Sequence, residues 1–346
     1  MEKLLHLQLK VVPDLLQVMT RRYTIMKVIQ ATQPIGRRSL TQMVGLTERV
    51  LRAETDFIKQ QGLLQIASSG MSLTPEGVEA VTGLRGMMRE LLGLKELEQQ
   101  LEQLLSVNQV IVVPGDSSEE AWVKHDLGRA AVEQMSLLAE EKWNVAVAGG
   151  TTMAAVAEVM KPSSKLKSLV FLPARGGLGE EVENQANTIT SKMAQQSGGS
   201  YRMLHIPDQL SKEAYESLTH DPHIKDVIRQ IRSSRMIVHG IGEARTMALR
   251  RKSTKQLLQS IEERQAVAEA FGYYFSQQGE IVEKIQTVGL RLEDVQQADH
   301  IIAVAGGRAK ARAIRAFLMH GTHDVLITDE GAAREMIQLC QPETEV

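Results

Sequence analysis

Two stretches of this chain place a pair of glycines between an apolar, strand-like run and a helix-like one. The first is NVAVAGGTTMAAVAEV, residues 144–159, and the second is HIIAVAGGRAKARAIRAF, residues 300–317. Paired glycines let the backbone turn sharply, so the N–H groups that open the helix converge on one point, where the helix dipole adds partial positive charge. The result is an anion site. Gly149 and Gly150 are followed by the hydroxyls of Thr151 and Thr152, and Gly307 by the cations of Arg308 and Lys310. In open α/β sheets ligands gather beyond the carboxyl ends of the strands, where both turns must lie. One such turn often serves geometry alone; two, each with polar donors, predict a ligand with two phosphates, or with one phosphate and a polar body. Arg175 in PARGGLG follows another apolar run, and its planar fork suits a phosphate. Arg250, Arg251 and Lys252 form a further basic cluster, whose default reading is a solvated surface run.

Signals for chemistry beyond anion binding are sparse. Glu180, Glu181 and Glu183 follow the glycine-rich loop, and His205, His220, His223, His239, His320 and His323 are scattered. His220 with His223, and His320 with His323, have the spacing of metal pairs. No carboxylate or cysteine set completes either, so no metal is expected. His239 ends an apolar run and reads as structural. There is no P-loop, nucleophile elbow or HExxH pattern, and no residue is assigned as catalytic.

The elements that must carry the glycine turns repeat along the body. Short apolar, β-branched runs occur at 109–116, 144–150, 168–177, 201–207, 235–242, 300–307 and 323–329, separated by amphipathic helical stretches. Nearly continuous apolar strands alternating with helices predict a doubly wound, mostly parallel sheet covered on both faces.

The front of the chain reads differently. Residues 15–31 place apolar side chains at helical spacing and leave a polar stripe with Arg21 and Arg22. Gln33 to Gly36 break that helix, and Ser39 with Gln42 has the form of a capping box opening a second one. Gly45 supplies the interhelical turn, and Thr47 caps a third helix. On that helix Val50, Ala53, Phe57 and Ile58 are expected to face inward, with Glu48, Arg49, Arg52, Thr55 and Lys59 outward. A weak alternation around Ser69-Gly70 predicts a two-stranded wing, and Thr74-Pro75 starts another helix. The module is a winged helix-turn-helix. Its third helix would enter the major groove of double-stranded operator DNA, with Thr47, Arg49, Arg52, Thr55 and Lys59 on the reading face and Arg37 and Arg38 on the phosphate backbone. From Val78 to Leu105 a leucine-rich helical stripe, weakened by Gly83, Gly86 and Gly93, suits either a second subunit or the chain's own body. The expected division is a DNA-binding domain over 1–77, a helical linker over 78–107 and an effector-binding domain over 108–346.

The charge distribution agrees with that division. The whole chain of 346 residues carries a formal net charge of −2, yet residues 1–70 hold ten Lys+Arg against five Asp+Glu, a net of +5, and the remainder a net of −7. A basic front on an acidic body is what a DNA reader joined to a non-binding body requires. No apolar run approaches the length of a membrane span, the start MEKLLHLQLK lacks a secretory pattern, and the single cysteine, Cys340, excludes an intrachain disulfide. The expectation is a cytoplasmic protein without membrane contact.

Taken together, the winged helix-turn-helix, the leucine-rich linker and the motifs VAVAGGTTM, FLPARGGLG and AVAGGRAKARAI resemble the SorC-type sugar-responsive repressors across essentially the whole chain. The body motifs are the more specific part. The resemblance implies a sensing domain built like the sugar-phosphate isomerases, a homodimer or homotetramer, control of central glycolytic genes, and a phosphorylated sugar as effector, with fructose 1,6-bisphosphate first among the candidates. It implies phosphate contacts from Gly149 to Thr152 and Arg175 on one side and from Arg250, Gly307, Arg308 and Lys310 on the other. Gln185 and Glu269 would bond sugar hydroxyls, a role that rests on the resemblance. The competing readings are a sugar-phosphate isomerase or related hydrolase with an appended helical domain, using Glu180 or Glu181 as base, and an α/β interaction protein that senses no small molecule.

Overall fold

The computed structural model describes residues 11–178, 181–321 and 323–340. The chain divides into two compact units, with the boundary between Lys95 and Glu96.

In the first unit the helices Pro13–Thr32, Arg37–Val44 and Glu48–Gln60 precede a hairpin of β1 (Leu64–Ala67) and β2 (Gly70–Leu73), and a fourth helix runs over Pro75–Leu91. Gly45 ends the second helix in the left-handed region at φ 62°, and the Thr47 side chain accepts from the Val50 N–H to cap the third. Ile35 adds a one-residue bridge to the hairpin through paired backbone bonds with Met71, at 3.0 and 2.8 Å. The second helix begins differently from the expected capping box. It starts at Arg37 behind Gly36, with no side-chain cap, and Ser39 lies inside it.

The third helix is also rotated from its expected setting. The buried positions are Leu51, Glu54, Thr55 and Ile58, while Ala53 is exposed and Phe57 is 38% exposed. The cause is a polar anchor. Glu54 turns inward because Arg21 Nη1 and Arg22 Nε donate to its two carboxylate oxygens at 3.0 and 2.8 Å. Phe57 stays outside because the Arg22 guanidinium covers its ring, 3.6 Å from the centroid, and a cation over an aromatic face shields it from water. Thr55 is therefore removed from the reading face: it is fully buried, and its hydroxyl donates back to the Leu51 and Arg52 carbonyls.

The leucine-rich stripe breaks at Leu92–Gly93, giving the helices Pro75–Leu91 and Leu94–Leu105. The second unit then builds strands β3 (Gln109–Val113), β4 (Asn144–Val147), β5 (Val170–Pro173), β6 (Ser200–Tyr201), β7 (Met236–His239), β8 (Gly242–Glu243), β9 (Ala266–Ala270), β10 (Tyr273–Ser276), β11 (Ile281–Lys284), β12 (His300–Val304) and β13 (Val325–Asp329). Seven of them form one parallel sheet in the order β3-β13-β12-β7-β4-β5-β6. Apart from the exposed edge strand β6, its strands are buried almost throughout, which is why they read as continuous apolar runs. The 201–207 run contributes only Tyr201 to this sheet. A second, antiparallel sheet of four strands, β11-β10-β9-β8, was not legible as strands in the sequence. Its strands carry Glu243, Glu269, Glu283 and Lys284 among their apolar residues, so neither periodicity stands out.

Glu54 is the charge on which the first unit's core depends. Burial raises its pKa, but the bonds and charges of Arg22 and Arg21 more than offset this and leave it below the usual carboxylate value. Glu54→Ala should lower the stability of the first unit by roughly 1–3 kcal/mol, the cost of leaving partly buried donors unpaired. In urea unfolding, a midpoint unchanged from wild type would refute this. Because the folded pKa is depressed, the contribution is present above the unfolded value and is lost as pH falls through the folded one.

Candidate functional site

In the parallel sheet the chain proceeds outward from β4 to β5 and β6, then returns to β7 beside β4 and continues the other way through β12 and β13. Between β4 and β7 the winding direction reverses, and a crevice opens beyond their carboxyl ends. A cavity of about 410 Å³ lies there. The turn after β4 (Ala148 to Met153) lines it, as do His239 at the end of β7, Gly240 and Ile241 after it, Glu269 and Ala270 of β9, and Phe271 in the following turn. Arg175, Glu243, Arg250 and Lys310 complete the charged lining.

The two glycine turns, equal in the sequence, have different fates. Gly150 sits at φ 114°, which a side chain would strain, and opens the Thr151–Val159 helix with no side-chain cap. The Gly150 N–H is held by the Asn184 carbonyl at 2.9 Å, while the N–H groups of the first helical turn have no i−4 carbonyl to bind. Thr152 is buried at the cavity wall. At the other turn the chain supplies its own acceptors. Asp116 Oδ1 accepts from the Arg308 N–H at 3.1 Å, Ser118 Oγ accepts from the Ala309 N–H at 3.4 Å, and the Arg308 side chain lies 3.7 Å from Asp116. A Cβ on Gly307 would come within 2.4 Å of Ser118 Oγ. Gly307 and Arg308 thus stand outside the cavity lining, whereas Lys310 lines it. Lys310 is desolvated and faces Lys124 and Arg250, which hold its pKa below the usual lysine value against the opposing pull of Asp329 and Glu243.

A buried ion network forms one wall. Arg175 donates to both oxygens of Asp208 at 3.0 and 2.8 Å, and Arg251, with no exposed side-chain area, donates to Glu269 at 2.6 Å and to the Tyr274 hydroxyl at 3.2 Å. Burial raises the Glu269 pKa, but Arg251, Arg175 and the Gly272 N–H outweigh it and keep the carboxylate charged. Arg175 and Glu269 are therefore held by protein partners, which fixes their positions at the cavity. Gln185 lines a neighbouring cleft of about 630 Å³ with Asp208 and Arg251, and its side-chain oxygen accepts from the Leu178 N–H at 3.0 Å. The bonds made by Asp208, Arg251 and Asp116 have no signal in the sequence, since each is a single polar residue in a loop or at a helix end. Only the basic triplet at 250–252 hinted at Arg251.

The described glutamates of the acidic loop do not reach the cavity. Glu181 and Glu183 are exposed and absent from the cavity lining, and Glu180 falls outside the described residues. Among the described residues no three His, Cys, Asp or Glu side chains are grouped to hold a metal ion, and His320 bonds the Gly279 carbonyl rather than His323. No described helix is long and apolar enough to cross a membrane. On the first unit, Arg38, Arg49, Arg52 and Lys59 are exposed, Arg37 is partly buried, and Thr47 is the helix cap.

Residues 89–338 match a family described as a sugar-binding domain, and residues 18–88 match the CggR N-terminal DNA binding domain. The chain belongs to the SorC family of transcriptional regulators. It is 51% identical over 339 residues to the central glycolytic genes regulator of Priestia megaterium, covering 98% of this chain and 99% of that one. The regulator of the same name from Bacillus subtilis is 49% identical over 338 residues, again covering 98% and 99%. A solved SorC-family transcriptional regulator from Enterococcus faecalis is 41% identical, with a TM-score of 0.67 over 70% of this chain and 99% of that one. This SorC-family chain is thus a DNA-binding transcriptional regulator with a sugar-binding domain, and its relatives are named regulators rather than enzymes.

His239, at the cavity wall, and His323 both pack against Phe317, with ring centroids 5.4 and 4.8 Å from it. Burial depresses both pKa values to about 4, and His239 uses Nδ1 toward the Gly240 carbonyl. A histidine that folds neutral stabilises above its unfolded pKa, and the unfolded chain takes up more protons as pH falls. The second unit should therefore lose melting temperature steadily from about pH 6.5 to pH 4. His239→Phe should flatten that slope in calorimetry at stepped pH; an unchanged slope would remove His239 from the account.

Proposed function

We propose that this chain is a repressor of central glycolytic genes whose hold on operator DNA is altered by a phosphorylated sugar, with fructose 1,6-bisphosphate as the effector. The observation that carries the effector reading is the pairing, in one cavity, of an uncapped helix start at Thr151–Thr152 with the cations Arg250 and Lys310. Helix N–H groups and cations are two separate means of holding a phosphate, and a sugar bisphosphate has two to hold. The ion wall supports the same reading. Glu269 is charged and fixed, so it can accept from sugar hydroxyls, and Lys310 is a desolvated cation among cations, which an arriving phosphate would relieve. The cavity's 410 Å³ falls in the range of small-molecule sites, about 300–1,000 Å³. The near full-length similarity to the two glycolytic regulators supports the choice of target genes.

In this reading residues 1–77 bind DNA, 78–107 link, and 108–346 sense. The protein acts in the cytoplasm as a homodimer or homotetramer on repeated half-sites. Exposed Arg49, Arg52 and Lys59 meet bases or phosphates, and Arg37 and Arg38 the backbone. Thr55 drops out of that set, and Gly307 and Arg308 out of the direct phosphate contacts. The effector works by binding two conformations with unequal affinity.

Fructose 1,6-bisphosphate at about 100 times its Kd should add about 2.7 kcal/mol to the second unit's stability. Thr152→Ala and Lys310→Ala should each diminish that gain while operator affinity without effector, measured at fixed salt, stays at the wild-type value. If no glycolytic phosphate raises the wild-type melting temperature, the effector reading is wrong. Arg52→Ala should do the reverse, weakening operator binding by over about 1 kcal/mol with the thermal response intact. Wild-type operator affinity in that variant would exclude Arg52 from the interface.

A further inference from the structure

The seven-stranded sheet ends at β3, and an edge strand leaves a row of backbone groups without ladder partners. Here the outer N–H groups are taken by a helix. The Val110 N–H donates to Glu102 at 2.9 Å and the Val112 N–H donates to Glu98 at 2.7 Å. The fit is metric as well as chemical. Residues four apart on a helix are separated by about 6 Å along its axis, and alternate residues on a strand by about 6.6 Å. Two glutamates one turn apart therefore meet two outward N–H groups in a single register. Glu98 is buried, so sliding the helix along the strand would strand a carboxylate away from water. The Leu94–Leu105 helix is thus tied to β3.

The carboxyl end of the same strand leads into the loop that fills the second glycine turn. Asp116 and Ser118 accept from the N–H groups of Arg308 and Ala309, and the Ser117 N–H donates to Asp329 Oδ2 at 2.9 Å. Ala309 and Lys310, in the same short turn, line the effector cavity. β3 therefore has the cavity's turn bonded at one end and the helix bonded along its edge. On the other side it is paired with β13 at all five positions, from Gln109 with Val325 to Val113 with Asp329.

We infer that β3 carries the effector's presence to the Leu94–Leu105 helix, with Asp116 sensing the Gly307–Lys310 turn and Glu98 and Glu102 passing its position on. The inference rests on the effector reading proposed above. A phosphate drawn to Lys310 and Arg250 brings negative charge to a turn that already holds Asp116 and Asp329. The like charges disfavour the present seating of the Asp116 loop. Any shift of that loop is a shift of the end of β3, and the helix follows through its two carboxylates. In the chain this helix succeeds Gly93 and the Pro75–Leu91 helix of the DNA-binding unit, so the output travels by covalent connection. Glu98 and Glu102 are positioning residues and touch no ligand.

The test uses the full chain, fructose 1,6-bisphosphate, and a duplex that the wild-type protein selects from a randomised pool. It compares Glu98→Ala with Glu102→Ala together against Glu98→Gln with Glu102→Gln together, because the amide oxygen still accepts an N–H. In the alanine variant the ratio of duplex Kd with and without the sugar should fall to within about twofold of unity, while the sugar still raises the melting temperature as in wild type. The glutamine variant should recover most of the wild-type ratio. A wild-type ratio in the alanine variant overturns the inference, as does loss of the ratio and the thermal response together. Should the double alanine variant not fold, Glu102→Ala alone is read the same way, alongside amide exchange across residues 109–113 in wild type. That exchange should change when the sugar binds, and exchange indifferent to the sugar also overturns the inference. Wild-type protein whose duplex affinity ignores the sugar would instead overturn the effector reading, and this inference with it.

Discussion

A helix that starts at a glycine must find acceptors for its first N–H groups, and much of the second unit follows from where those acceptors come from. At Gly307 the chain provides them in Asp116 and Ser118, at the end of another strand. At Gly150 the capping position offers none, and the turn opens into the cavity. The same local geometry becomes a structural joint in one place and part of a cavity wall in the other. Because Asp116 lies in the loop that follows β3, the joint also ties the sheet's edge to its centre.

The buried ions make a second constraint. Charges this far from water persist only when each meets an opposite charge or a donor. Arg175, Asp208, Arg251 and Glu269 meet that condition by binding one another, and in doing so hold the cavity wall in a fixed arrangement. Lys310 is the counterexample: desolvation and neighbouring cations disfavour its charged form. The cavity is thus lined both by members of a paired ion network and by one cation whose charge its surroundings disfavour. Glu54 plays the equivalent part in the first unit, where two arginines draw it inside and thereby set the rotation of the third helix.

Fold and site were legible in the sequence to different extents. Six of the seven apolar runs became central or full strands of the parallel sheet, because a strand buried on both faces must be apolar at every position. Gly45, Thr47 and Thr74-Pro75 kept their turn and cap roles, since those depend on local backbone geometry. The small antiparallel sheet escaped because its charged residues interrupt the alternation. The third helix departs from its apolar pattern, which points to Phe57 and away from Glu54 as the buried residue. Burial there was decided by Arg21 and Arg22, more than thirty positions earlier.

The amino-acid sequence by itself determined the two kinds of unit, the parallel sheet, the helix-turn-helix and the presence of two glycine turns, because each of these is written in local periodicity and backbone freedom. Tertiary structure alone decided that one turn is open and the other closed, that Thr55 is hidden, and that Arg175 and Glu269 are held in a buried network. It also decided that the linker helix is bonded to the sheet's edge. These outcomes depend on which distant carboxylate or carbonyl arrives at a given N–H or guanidinium, and no local pattern records that arrival.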